Sequence, residues 1–375
     1  MNFSRYLRAQ IQKDLQEKMV FLGGPRQVGK TTLSREFVRS SEQYLNWDFD
    51  QDRRRLLKGD LNPQAGLYVL DEIHKYARWR NFLKGYYDKY KPHLNFLVTG
   101  SARLDHFRKG GDSLVGRYHS LRLHPLSLRE LQPVPKATDL QTLLQFGGFP
   151  EPFSRQDSGF HQRWQTERRT RVVTQDLRDL ETVKEISLIE LLAQTLESRV
   201  GSPLSVRSLQ EDLGVSPNTV ERWIGLLESL YYCFRISPYG PPKVRAVKKA
   251  QKLYLWDWSE VENPGPRFEN LVASQLLKFC HFEEDTKGLK TELRYFRDVV
   301  SLREIDFIVL QKGKPLFAVE CKTGDREISR GLLQFGQRLK IPRLYQVHLG
   351  ERDFGLESHG RILPFTKFCQ ELELP

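Results

Sequence analysis

Residues 19–31, MVFLGGPRQVGKT, decide the reading of the N-terminal part of this chain. The run MVFLG is a covered strand, Gly24-Pro25-Arg26-Gln27-Val28-Gly29-Lys30-Thr31 satisfies G-x-x-x-x-G-K-[ST], and TLSREFVRS behind it favours a helix. The glycines let backbone N–H groups curl around phosphate, and the helix presents its positive end to the same anion. Lys30 is expected to contact the β- and γ-phosphates of ATP, the Thr31 hydroxyl to help hold Mg²⁺, and Thr32 to complete the nucleotide-contacting run.

A phosphate loop needs a carboxylate that organises the metal, so a second apolar strand ending in acid is required. Leu67-Tyr68-Val69-Leu70-Asp71-Glu72 supplies it, with Asp71 suited to anchor Mg²⁺ through water and Glu72 to polarise the attacking water. A third strand, Phe96-Leu97-Val98-Thr99-Gly100-Ser101, ends in hydroxyls that either sense the γ-phosphate or close a turn. Arg103 and Arg117 follow, and Arg117 is the better candidate for an arginine finger, in the same or an adjacent subunit. His74 is expected to pack or cap locally. From Met19 to about Leu123, short apolar runs alternate with helix-length stretches, which predicts a parallel sheet covered on both faces.

The remaining chain changes character. At 375 residues there is material for two or three domains, and the 39% hydrophobic content is enough to give each a core. We place an ATPase core at 1–155, a helical lid with a winged-helix or helix-turn-helix element at 156–240, and a second α/β domain at 241–375. In SVRSLQEDLGVSPNTVERWIGLLESLYYCFRI, Gly214 ends one helix, Ser216 caps the next and Pro217 opens it. Val220, Trp223, Ile224, Leu227 and Leu230 share the apolar face of that second helix. Asn218, Thr219, Glu221 and Arg222 are then available to nucleic acid.

The formal net charge of +12 favours a polyanionic partner, nucleic acid first, against the plainer alternative of an evenly solvated basic surface. Lys243, Arg245, Lys248, Lys249 and Lys252 form a run without acids, and Arg163, Arg168, Arg169 and Arg171 add charge upstream. The four cysteines are widely spaced and form no metal-ligand pattern. No stretch approaches the roughly 18 apolar residues of a membrane span, and the start reads as an amphipathic helix, so a cytoplasmic location is expected.

In the last third, Asp306 in EIDFIVL and Glu320 and Lys322 in LFAVECK fall on two strands of a hairpin, where Glu320 and Lys322 share one face. Two carboxylates on Mg²⁺ beside a phosphate, with an ammonium to orient water, would suit phosphodiester hydrolysis. The cluster resembles the PD-(D/E)xK nuclease constellation. That resemblance implies Glu269, on a preceding helix, as a further metal ligand and Gln334 as a weaker match.

GPRQVGKTTL, LYVLDEIHK, VTGSARLD, VGRYHSLRLHPLSLRE, FGGFPE, EIDFIV and VECKTG, in this order, resemble the prokaryotic AAA+-type P-loop ATPases that carry a C-terminal DUF4143 domain. The resemblance implies an additional-strand ATPase core in a class often placed among ring-forming oligomers, a hexameric ring included. The expected fold is therefore α/β and multidomain: an AAA+ core, a winged-helix middle segment and a restriction-endonuclease-like end. The expected function is a DNA-dependent ATPase, a motor or remodeller acting on DNA, branched or junction DNA included, as in repair or recombination. Its C-terminal domain would bind or cut the DNA. A nucleotide-dependent signalling switch with an inactive C-terminal platform is the alternative, and RNA rather than DNA a third.

Overall fold

Met19–Gly23 forms strand β1 with every residue buried, the demand that a parallel strand covered on both faces makes on its sequence. The structure is a computed structural model describing residues 3–91, 93–100, 114–132, 134–177, 185–240, 251–298, 300–301, 303–324, 327–357 and 360–375. Four further strands join β1: β2 (Tyr44–Asn46), β3 (Leu67–Asp71), β4 (Asn95–Thr99) and β5 (Tyr118–Arg122). Their order is β2-β3-β4-β1-β5, and every pairing is parallel. Strand β4 thus stands between the strand that precedes the phosphate loop and the strand that ends in Asp71, the additional-strand arrangement. The register sets Thr99 beside both Leu22 and Asp71, so β4 delivers its hydroxyl to the acid of β3.

Helices α1 (Arg8–Asp14), α2 (Lys30–Arg35), α3 (Asp50–Lys58) and α4 (Trp79–Tyr90) accompany this sheet. Phe21, Leu70, Phe96 and Val98 of the strands pack with Trp79, Leu83 and Tyr86 of α4 in one buried cluster. Burying such aromatic and branched chains contributes about 1.5–3 kcal/mol each. Residues Asn2–Pro125 with Ser229–Tyr231 make one compact unit.

Leu126–Glu228 and Tyr232–Pro375 make the other. The expected boundaries at 155/156 and 240/241 do not coincide with these units. This second unit begins with α5 (Leu128–Leu131), α6 (Ala137–Phe146), α7 (Pro150–Arg155) and α8 (Ser158–Arg171), the last running into a π-helical turn over Val172–Asp176. Then come α9 (Ile186–Glu197), α10 (Val206–Leu213), α11 (Pro217–Ser229) and the antiparallel strands β6 (Cys233–Pro238) and β7 (Lys252–Leu255).

Three helices followed by a hairpin are a winged helix, and the local signals are those read from the sequence. Gly214 is left-handed at φ 67 and closes α10, and the Thr219 N–H donates to the Ser216 Oγ at 3.2 Å to cap α11. Val220, Trp223, Ile224 and Leu227 are all buried.

The last part is α12 (Pro264–Lys287), β8 (Thr291–Arg297), β9 (Glu304–Gln311), β10 (Lys314–Lys322), α13 (Arg330–Arg338), β11 (Leu344–His348), β12 (Gly355–Glu357), β13 (Gly360–Pro364) and α14 (Phe365–Glu371). Strands β8, β9 and β10 run as an antiparallel meander and β11 joins β10 in parallel. Strand β6 pairs with β8, so the wing hairpin continues this sheet in the order β12-β13-β11-β10-β9-β8-β6-β7. Lys252, at the start of the wing strand β7, is thereby drawn into the interior of the C-terminal domain.

Candidate nucleotide site and carboxylate cleft

The phosphate loop is shaped by its glycines. Gly24 has φ 148, and a Cβ there would lie 2.4 Å from the Leu123 carbonyl oxygen, so the backbone admits only glycine. Gly29, at φ 97, turns the chain into α2. Lys30 Nζ donates to the Gly24 and Pro25 carbonyls at 2.9 and 2.7 Å, which holds the ammonium across the loop between Pro25 and Gly29. Arg5, buried and unremarked in the sequence, donates to the Val28 carbonyl at 2.6 Å and braces the loop from behind.

Asp71 collects hydroxyls: Thr31 Oγ1 donates to its Oδ2 at 3.2 Å, and Thr99 and Tyr44 donate short hydrogen bonds to the same carboxylate. Thr99 therefore positions Asp71 rather than standing free for a γ-phosphate. Tyr44 had not been singled out. Burial, with Asp71 beside it, drives its phenol far above the usual range, so it remains a donor. Thr31 and Asp71 present two hard oxygen donors to one point at the mouth of the loop, and this donor set fits Mg²⁺.

Glu72 follows at φ 58, a left-handed conformation that a non-glycine residue holds at a cost of about 1–3 kcal/mol. Its N–H is fixed on the Thr99 carbonyl at 3.0 Å. Burial raises its carboxyl pKa, Lys30 pulls it back, and Asp71 adds to the rise. Among the described residues, its Oε2 accepts no hydrogen bond and lies 3.7 Å from both His74 Nε2 and Lys75 Nζ. His74 is pushed down to about 4 by burial, then by Lys75 and Lys30, and is neutral at pH 7.

Arg117 is placed elsewhere. Its carbonyl accepts from Met19 N–H, at the end of β1 remote from the loop, with about 13 Å of strand between. Its guanidinium is clamped on Asp88 at 2.9 and 3.2 Å. It cannot reach the phosphate loop of its own chain. Ser101 and Arg103 lie outside the described residues.

In the winged helix, Asn218 and Arg222 are exposed, whereas the Thr219 hydroxyl is tied to the Ser216 cap at 2.9 Å. Glu221 is paired with Arg235 of the wing at 2.8 Å. Lys243, Arg245, Lys248 and Lys249 lie outside the described residues. Two upstream arginines need correction as surface charge: Arg168 is buried on Glu260 at 3.0 Å and over the Phe149 ring at 4.4 Å, and Arg169 bonds Glu197 at 2.7 Å.

The C-terminal cluster assembles as the hairpin reading implied, with an addition. Glu304, Asp306 and Glu320 floor a cleft of about 500 Å³, with Arg297, Arg303 and Arg330 around it. Lys252, with no exposed side-chain surface, sits behind that floor, 3.0 Å from Glu304, 3.4 Å from Glu269 and 4.0 Å from Asp306. Burial opposes its charge, but Glu269, Asp306 and Glu304 outweigh burial and hold the ammonium well above its usual pKa. Burial and the Asp306 charge push Glu320 up, and burial and Asp306 do the same to Glu269.

Mg²⁺ requires about six oxygens at 2.0–2.1 Å. Here Glu269 Oε1 already serves Lys252 and the Tyr254 hydroxyl, Asp306 Oδ2 accepts the Cys321 N–H at 2.8 Å, and Glu320 Oε1 accepts from Lys322 at 2.7 Å. Among the described residues, the buried Glu320 Oε2 accepts no hydrogen bond. No group of three or more His, Cys, Asp or Glu among the described residues is arranged to hold a metal ion. The expected residues Glu269, Asp306 and Glu320 come together at one cleft, with Lys252 held against Glu269 and Asp306 from behind. Lys322 reads as the ion-pair partner of Glu320, and Gln334 is an exposed acceptor for Arg303 at 3.4 Å. In sequence Lys252 belongs to a basic run, and only the fold shows it buried against acids.

Comparison with known proteins finds three family models along the chain. Residues 16–132 match the model of an AAA domain, 137–259 a domain of unknown function (DUF8612), and 264–368 a domain of unknown function (DUF4143). Uncharacterized proteins of Mycobacterium tuberculosis and Mycobacterium bovis are each 25% identical over 365 residues, covering 92% of this chain and 80% of theirs. Among solved structures, the Aeropyrum pernix Orc1 protein in complex with DNA aligns at 14% identity and TM-score 0.35, over 73% of this chain and 94% of that one. A Pyrococcus horikoshii signal transduction ATPase with numerous domains aligns at 13% and 0.24, over 73% and 45%. At these scores the solved structures carry no argument. No helix among the described residues is long and apolar enough to cross a membrane. The chain joins an N-terminal AAA domain of P-loop ATPase type to a C-terminal DUF4143 domain, the architecture that the resemblance implied.

Proposed function

We propose that the chain is a DNA-dependent ATPase, a motor or remodeller whose C-terminal domain holds DNA without cutting it. The observation that carries it is the convergence of Lys30, Thr31, Asp71 and Glu72 on one loop, in a chain that also exposes Asn218 and Arg222 on α11, the third helix of the winged helix. Lys30 leaves the Gly24 and Pro25 carbonyls to contact the β- and γ-phosphates of ATP. Thr31 and Asp71 would hold Mg²⁺, which with nucleotide bound neutralises charge on the phosphate oxygens. Glu72, fixed by its N–H on Thr99, takes the proton of the attacking water at a carboxylate oxygen.

Arg117 is remote from its own loop, so as a finger it would serve a neighbouring subunit of a homo-oligomer. Net positive charge supports a nucleic-acid partner. The lysine behind the C-terminal carboxylates favours a holding role for that domain, as the platform of a switch would also require. The test is the ATPase rate with single-stranded, duplex and four-way DNA. Stimulation that declines with salt is expected; no stimulation and no salt-sensitive binding by any of the three would sink the DNA reading.

A further inference from the structure

Three exposed arginines, Arg297 at the end of β8, Arg303 before β9 and Arg330 at the start of α13, surround the cleft, and among the described residues none of them forms an ion pair with a carboxylate. Among the described residues, the Arg303 guanidinium donates to the side-chain amide oxygen of Gln334 at 3.4 Å, a neutral group. On the protein side of the same cleft stand Glu304, Asp306 and Glu320, with Glu269 behind them. Left alone, four carboxylates would repel a phosphodiester, which is why such a cluster ordinarily demands a divalent ion before it can accept one. Here the compensating charge is covalent and permanent. Lys252 is within 4.0 Å of three of the four, and Lys322 is 2.7 Å from the fourth. Five cations thus face four acids, and the arginines retain their full capacity for forked contacts to phosphate oxygens.

We infer that the cleft is a phosphodiester-binding site that works without a divalent ion: Lys252 and Lys322 cancel the carboxylates, and Arg297, Arg303 and Arg330 grip successive phosphates of one nucleic-acid strand. The inference rests on the proposed DNA reading and names where in the C-terminal domain the strand lies and what holds it.

The test uses the full chain and a labelled single-stranded oligonucleotide, followed by fluorescence anisotropy in EDTA and in Mg²⁺. Equal affinity in the two buffers is expected for the parent protein. Arg297→Ala/Arg303→Ala/Arg330→Ala, three exposed changes, should weaken binding at least tenfold and reduce the salt slope by about 2, three contacts at about 0.7 each for a single strand. Unchanged affinity of the triple variant, with its thermal midpoint intact, would overturn the site. Binding that vanishes in EDTA and returns with Mg²⁺ would overturn the metal-free character.

A second measurement bears on Lys252 without mutating it. Calorimetric titration of Mn²⁺ into nucleotide-free protein carrying Asp71→Asn, which removes the N-terminal metal anchor, should show no binding in the millimolar range. A saturable heat abolished by Asp306→Asn would refute the inference. If the triple variant binds the strand as the parent does while DNA still stimulates the ATPase, the cleft assignment fails and the DNA reading stands. If no DNA binds or stimulates, the DNA reading fails and takes the cleft assignment with it.

Discussion

Replacing Lys252 by Met keeps the buried methylene chain and deletes the charge, and its consequence can be worked from the surroundings. Glu304 at 3.0 Å, Glu269 at 3.4 Å and Asp306 at 4.0 Å lose their shared cation inside the protein. Breaking a buried ion pair from one side costs about 3–5 kcal/mol, because the partner charge is stranded. In a unit as large as Leu126–Pro375, at roughly 2–4 °C for each kcal/mol, the midpoint should drop by about 10 °C.

The pH dependence has a definite sign. Burial already raises the carboxyls of Glu269 and Asp306 with Lys252 in place, and without the ammonium they lose the charge that opposes that rise. A raised acid costs nothing while it is protonated in both states, and its penalty grows as pH climbs through the folded value. The deficit of Lys252→Met should therefore be small near pH 5 and large near pH 8. Calorimetric unfolding of parent and variant at the two pH values measures it, and adding Glu269→Gln and Glu304→Gln should restore much of the loss at the higher pH. A loss below about 1 kcal/mol, or one equal at both pH values, would refute a compensating role for the ammonium.

Other outcomes follow from the nucleotide site. Lys30→Ala should lower steady-state ATP hydrolysis by roughly 10²-fold or more, and an unchanged rate in pure protein would refute the loop assignment. Glu72→Gln should retain binding of an ATP analogue while losing hydrolysis to a similar degree; loss of binding instead would make Glu72 a structural residue. In the parent, hydrolysis should fall on acidification through a pKa above the ordinary Glu value of 4.5, because burial raises Glu72 and only the carboxylate accepts a proton. A rate profile flat down to that value would contradict it. Gly24→Ala, with its Cβ 2.4 Å from the Leu123 carbonyl oxygen at φ 148, should cost about 1–3 kcal/mol and abolish analogue binding, seen as a lower midpoint that nucleotide no longer raises.

Local signals in this chain were sufficient wherever one segment makes its own structure. Glycine spacing at Gly24 and Gly29 specified the loop, the Ser216-Pro217 pair specified a helix start, and the unbroken apolar run of β1 specified a strand buried on both faces. The hairpin of Asp306 with Glu320 and Lys322 was likewise legible, because period-two alternation fixes which side chains share a face. For Arg117 the choice between its own and an adjacent subunit stayed open in the sequence, because its neighbourhood says nothing about which end of a strand it occupies. Register with Met19 sets it at the end away from the phosphate loop.

Arg168 and Lys252 mark the deeper limit. In sequence each is one basic residue among several, and nothing local distinguishes a solvated cation from one bound to acids far along the chain. Arg168 meets Glu260, and Lys252 meets Glu269, Glu304 and Asp306, only because the helices and the wing hairpin pack where they do. The sequence by itself determined a P-loop, a winged helix and a carboxylate hairpin, since each depends on contacts within a short span. The tertiary structure alone decided that Lys252 meets those carboxylates, since charge compensation depends on distance in space, where its side chain reaches Glu269 of α12 and Glu304 and Asp306 of β9.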